Sequence, residues 1–113
     1  MDLSKLKLEK YSTYNSFNMP QEFHVSLEYS DTPDVYFVFV QSFEDLNRYT
    51  NHILNQYLHK DNRIFYVYPK GQKSFHRDHI VMYSKRSPFL IRKAPMLCSL
   101  SKDYSCFTFM IKK

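Results

Sequence analysis

Residues 35–68 read VYFVFVQSFEDLNRYTNHILNQYLHKDNRIFYVY, and the two ends of this stretch decide the fold. Val35 to Val40 is an uninterrupted apolar run, and Arg63 to Tyr68, RIFYVY, is its counterpart. Strands covered on both faces read this way, because no alternate position has to meet water. Between them Ser42 is placed to cap a helix, and Glu44 and Asp45 favour its positive end. Leu46, Tyr49, Thr50, Ile53 and Tyr57 then recur at helical spacing, with Phe43, Leu54 and Leu58 widening the stripe. The spacing predicts a helix from Ser42 to about His59, ending at Asp61-Asn62. Strand, helix, strand is a β-α-β unit, so the two apolar strands should be parallel neighbours at the centre of a sheet.

Upstream, YSTYNSFN (11–18) alternates aromatic and small polar residues as a half-buried strand does, and Met19-Pro20 ends it. FHVSLEY (23–29) alternates again, which puts Phe23, Val25, Leu27 and Tyr29 on one face of a second strand. Ser30 to Asp34 is a turn by composition. Downstream, Pro69-Lys70-Gly71 is a turn holding the only glycine of the chain. Ser74 is placed to cap a second helix through about Arg86, with Phe75, Ile80, Met82 and Tyr83 as its apolar side and Pro88 as its stop. The tail reads as two strands, Phe89–Leu100 and Tyr104–Ile111, joined over Ser101-Lys102-Asp103. Pro95 calls for a bulge or an edge position in the first, while Phe107, Phe109 and Ile111 share a face of the second. The expectation is a single α/β domain over 1–113, bordering on α+β. Its mixed sheet would have five or six strands, a central parallel pair and an antiparallel C-terminal hairpin.

Composition bounds the chemistry. With 113 residues the chain holds one core, and ten Tyr and ten Phe furnish it. One glycine cannot write the glycine-rich cradles of dinucleotide or P-loop sites. MDLSKLKLEK offers no apolar core for a secretory signal, and no long apolar run could span a membrane. Two cysteines in such a chain fit a reducing cytoplasm. The net charge of +5 is uneven: residues 1–62 balance at −4 and residues 63–113 at +9. This split reads first as two halves of one fold facing each other or keeping the protein soluble. Its second reading is a basic surface for phosphates or acidic partners.

A loop that leaves the carboxyl end of a parallel strand and enters a helix is where open α/β sheets take ligands. Asn18, Pro69, Lys70, Gly71, Lys73 and His76 are therefore the candidate site for an anionic small molecule, with the free N–H groups of the second helix in support. The competing reading of the Pro-Lys-Gly turn is a strand exit with its lysines in water. The alternative surface for nucleic acid or an acidic partner comprises Arg77, Lys85, Arg86, Arg92 and Lys93, together with Lys70 and Lys73. His76 and His79, three apart, could join Cys98 and Cys106 as zinc ligands, but the spacing fits no compact zinc knuckle. His76 with Asp78 has no nucleophile motif beside it, so a cap or surface role is favoured over acid–base catalysis. Cys98 and Cys106 fall opposite each other if the tail hairpin closes. A disulfide is then within reach, though two small buried thiols suit the compartment better. The aromatic residues sit in apolar runs and read as core rather than as base-stacking platforms.

Asn18-Met19-Pro20, VYFVFVQSFEDL, RIFYVYPKG and the ending SLSKDYSCFTFMIKK together resemble a small family of bacterial proteins with no established activity. Its pattern is an Asn-x-Pro turn after the first strand, an apolar strand ending Tyr-Pro-Lys and a closing hairpin. The order of elements also resembles the second half of Rossmann-like methyltransferases. The departure from that family is decisive for chemistry, because Asn18-Met19-Pro20 stands where the glycine-rich turn for the methyl donor would be. The resemblance implies a fold without methyl transfer. The function expected is a non-enzymatic cytoplasmic binding or regulatory module with no cofactor, metal or catalytic residue. The alternatives are polyanion binding by the basic half and a vestigial methyltransferase-like enzyme.

Overall fold

In the computed structural model Val35–Phe39 is a strand whose five residues are all buried. Numbered along the chain, the strands are β1 (Thr13–Phe17), β2 (Glu28–Tyr29), β3 (Val35–Phe39), β4 (Asn62–Pro69), β5 (Leu90–Ser99) and β6 (Tyr104–Ile111). The helices are α1 (Phe43–Leu54) and α2 (Arg77–Lys85), preceded by two 3-10 turns at Ser4–Leu6 and Leu8–Lys10. The structure describes residues 1–56, 58 and 62–112, apart from the side chain of Pro95. Among them one mixed sheet of six strands runs in the order β2-β1-β3-β4-β6-β5. β2, β1, β3 and β4 are parallel, and β6 is antiparallel to both β4 and β5. The radius of gyration is 12.9 Å, against about 13 Å for one domain of this size.

The sheet is covered differently on its two faces. On one face α1 and α2 bring Leu46, Ile53 and Ile80 down onto Tyr36, Val38, Ile64, Tyr66, Phe107 and Phe109. On the other no α-helix is present among the described residues. Val35, Phe37, Phe65, Val67 and the two cysteines are roofed there by Leu6 from the first 3-10 turn and by Met19, Phe23, Val25 and Leu27. Phe37 and Phe65 face each other in register across β3 and β4, with ring centroids 5.0 Å apart and planes within 18°.

This second face explains why the strand expected at 23–29 shrinks to Glu28–Tyr29. Phe23 to Leu27 carries the alternation of a strand, but its apolar residues lie under the sheet instead of pairing beside it. Tyr29 does not share their burial and is 62% exposed. The first strand is shorter than 11–18, since Tyr11 closes the second 3-10 turn and Asn18 adopts a left-handed φ of 60°. α1 is shorter than the periodicity predicts. Its last turn is closed at Asn55, whose N–H donates back to Asn51, His52 and Ile53; Tyr57 and His59 lie outside the described residues. β5 lies at the sheet edge, and its pairing with β6 shifts register between Arg92 and Leu97, on either side of Pro95.

One helix position is polar for a reason. Thr50 faces the core, and its hydroxyl meets the Tyr66 hydroxyl at 2.6 Å, tying α1 to the middle of β4. Tyr36, on the same face, has a buried hydroxyl with no partner. The two tyrosines should therefore respond oppositely to loss of the hydroxyl. Tyr66→Phe removes the bond that ties Thr50 to β4 and should cost about 1–2 kcal/mol in urea unfolding. Tyr36→Phe removes an unsatisfied group and should be neutral or stabilising. Equal destabilisation of both variants would show that the Thr50–Tyr66 bond contributes nothing.

Candidate functional site

The carboxyl ends of β1, β3 and β4 lie side by side, because these strands are parallel and adjacent. β1 stops at Phe17, and Asn18 turns the chain in the left-handed region that asparagine tolerates better than most residues. Its Nδ2 donates to the Phe39 carbonyl at 3.2 Å and stitches the end of β1 to that of β3. Beyond β3, the Gln41 N–H donates to Asp45 Oδ2 at 2.9 Å, and Ser42 Oγ accepts from the Asp45 N–H at 3.0 Å, as a helix cap should. β4 leaves the sheet at Pro69. The Lys70 N–H donates to the Asp103 carbonyl at 2.8 Å, and the Lys70 ammonium donates to Ser99 Oγ. Gly71 has φ 75°; the space around a Cβ there is open, so its backbone angle alone calls for glycine.

The candidate residues thus fall into three groups along one edge. Asn18 is at the β1–β3 end. Pro69, Lys70 and Gly71 sit two strands over, roughly 10 Å away by strand spacing, against the β5–β6 turn. Lys73 is exposed in the loop that follows. His76 has a structural task instead. The cap of α2 is His76 and not Ser74, because α2 begins at Arg77. His76 Nδ1 accepts from the Asp78 N–H at 3.3 Å, and the His76 N–H donates to His79 Nδ1 at 3.1 Å. His79 also stacks on Phe75, with centroids 5.4 Å apart. An anion at this helix start would have to displace side chains that already serve its free N–H groups.

Cys98 and Cys106 are directly opposite in register, both free and both buried. They belong to the cluster on the face away from α2, so the structure does not bring them to the two histidines. Among the described residues no three metal-ligating side chains converge. Burial pushes the Cys106 thiol and the Tyr66 phenol above their ordinary values, which keeps both protonated and the thiol unreactive.

No family model, curated protein or solved structure matches this chain. No helix among the described residues is long and apolar enough to cross a membrane. Site and chemistry rest on geometry alone.

The alternative basic surface is divided between two elements. Arg77, Lys85 and Arg86 are exposed on or just after α2, with Arg77 Nε 3.8 Å from an Asp78 oxygen. Arg92 reaches from the edge strand over the Phe107 ring at 6.0 Å, on the helix-covered face. Its neighbour Lys93 is partly buried. Sequence reasoning did not single out Arg63 or Thr108. Both lie on strands whose alternation turns them, with Phe65 and Cys106, to the face without α-helices. A charge at a position due for burial was the available signal.

Proposed function

We propose that the protein is a non-enzymatic binding module of a reducing cell interior. It takes an anionic small molecule at the carboxyl ends of β1, β3 and β4. The strand order carries this reading. From β1 the chain goes outward to β2 and returns past β1 to β3, so the winding reverses between β1 and β3. Ligands of open α/β sheets settle outside the strand ends at such a reversal. Asn18 stands at that point, and the exposed Lys70 and Lys73 supply positive charge at the end of β4. Two free thiols facing each other across β5 and β6 fit the reducing compartment.

A second reading, polyanion binding by the basic half, is favoured by the exposure of Arg77, Lys85, Arg86 and Arg92. The run β3-α1-β4-α2 followed by the β5–β6 hairpin supports methyltransferase-like ancestry, without the donor turn. Salt separates the first two readings. A single strand bound over six phosphates should show a slope of log affinity against log salt of about −4, whereas a small anion, which carries no condensed counterions to release, should depend only weakly on salt. Fluorescence anisotropy with a labelled single-stranded oligonucleotide, run over a range of salt, measures the slope. A steep slope with tight binding would overturn the small-molecule reading.

A further inference from the structure

A second cationic site lies on the opposite face of the sheet. Arg63 is the second residue of β4, next to Val35 on β3 and Met110 on β6. Above this part of the sheet lie the 3-10 turns, joined at Lys7, which holds a left-handed φ of 54°. They leave a cavity of about 240 Å³ whose walls include Lys7, Lys10, Tyr11, Arg63, Phe65 and Thr108. Among the described residues no acidic side chain lines it and no carboxylate pairs with Arg63.

Two residues of its wall carry a buried polar atom without a hydrogen-bond partner: Arg63 Nη1 and Thr108 Oγ1. Thr108 is 1% exposed, and the Cys106 thiol, a weak acceptor, lies within its reach two residues away on the strand. The Lys10 ammonium sits 5.4 Å from the centre of the Tyr11 ring, which also lines the space. A buried guanidinium N–H and a buried hydroxyl left without acceptors are costly, so the missing group is an acceptor. Guanidinium forks match phosphate and carboxylate oxygens, and three cations with no counter-charge suit a dianion better than a monoanion. The space is smaller than the 300–1,000 Å³ or so of pockets that enclose drug-sized ligands.

We propose that this cavity binds a phosphoryl oxyanion, held by Arg63 and Thr108 and neutralised by Lys7 and Lys10. The group is either free inorganic phosphate or the phosphoryl end of a larger molecule projecting from the mouth. This site is separate from the strand ends and does not depend on the reading given to them.

The test is titration of the intact protein with inorganic phosphate at constant ionic strength, followed by amide NMR shifts and thermal unfolding. Saturable shifts at 6–11, 63–65 and 108, with a rise in Tm, are expected. Thr108→Val should weaken binding by about tenfold and Arg63→Met by more. Arg63→Met should also raise Tm in phosphate-free buffer, because it deletes an unpaired buried donor, so its lost response cannot be ascribed to unfolding. Ribose 5-phosphate distinguishes the sources. Tighter binding than phosphate indicates a larger ligand, and equal or weaker binding indicates the free ion. Absence of saturable shifts at these residues, or an undiminished response in both variants, would overturn the proposal.

Discussion

Phe65→Ala is expected to lower the unfolding free energy by about 3–5 kcal/mol, the largest single effect in this protein. Phe65 is buried in the middle of β4 and stacks on Phe37 across the β3–β4 pair. Phe37 is in turn held by Phe23 at 5.0 Å, and Tyr14 meets it edge-on. Removing the Phe65 ring opens a void beneath a roof made of 3-10 turns and an irregular segment. That roof cannot follow the void inward without giving up its own contacts. A domain of this kind has roughly 5–15 kcal/mol of stability in all, so much of it would go. Urea unfolding by circular dichroism measures the loss, and a cost below 1.5 kcal/mol would mean that the roof collapses to fill the space.

Asn62→Ala is the second large effect, expected to cost about 2–3 kcal/mol. Asn62 is 1% exposed at the start of β4, and its Nδ2 donates to the Pro33 carbonyl at 2.7 Å and the Asp34 carbonyl at 2.9 Å. Those two residues lead into β3, so one side chain fixes where both central strands begin. Alanine leaves the Pro33 carbonyl buried without this donor, while Asp34 keeps the Arg63 N–H at 3.3 Å. Asn62→Asp should be worse near neutral pH, since a carboxylate would face two carbonyl oxygens. Its folded pKa would rise above the ordinary value of about 3.9. The aspartate variant should then regain stability relative to wild type as pH falls through that raised value. An aspartate variant as stable as wild type at pH 7 would contradict the bonding assigned to Asn62.

The centre of the fold was legible because Val35–Val40 and Ile64–Tyr68 offer no polar position to water, and only a strand covered twice tolerates that. The tail hairpin was legible through Pro95 and the alternation of Phe107, Phe109 and Ile111. Phe23–Leu27 was not, because a strand and an irregular segment packed under a sheet show the same alternation. The helix start at His76 escaped for a different reason. Histidine is rarely read as a cap, whereas Ser74 two residues earlier has the usual chemistry for one. Of the strand-end site, the sequence supplied the turn at Pro69–Gly71 and the break at Asn18. It could not supply the partners that already hold Lys70, since Ser99 and Asp103 arrive only when the hairpin folds back. The Arg63 cavity needed residues 7–10, 63 and 108 to meet, and no local pattern records that meeting.

The central claim is that the strand ends at the reversal point form a ligand site. A proton–nitrogen NMR titration of the intact protein against nucleotides, a methyl donor and short oligonucleotides tests it most directly. Saturable shifts at residues 18–20 and 68–79 for an anionic small molecule, distinct from any at the Arg63 cavity, are the predicted result. Shifts spread over Lys85, Arg86, Arg92 and Lys93 with oligonucleotide alone, and none at 18–20, would contradict it.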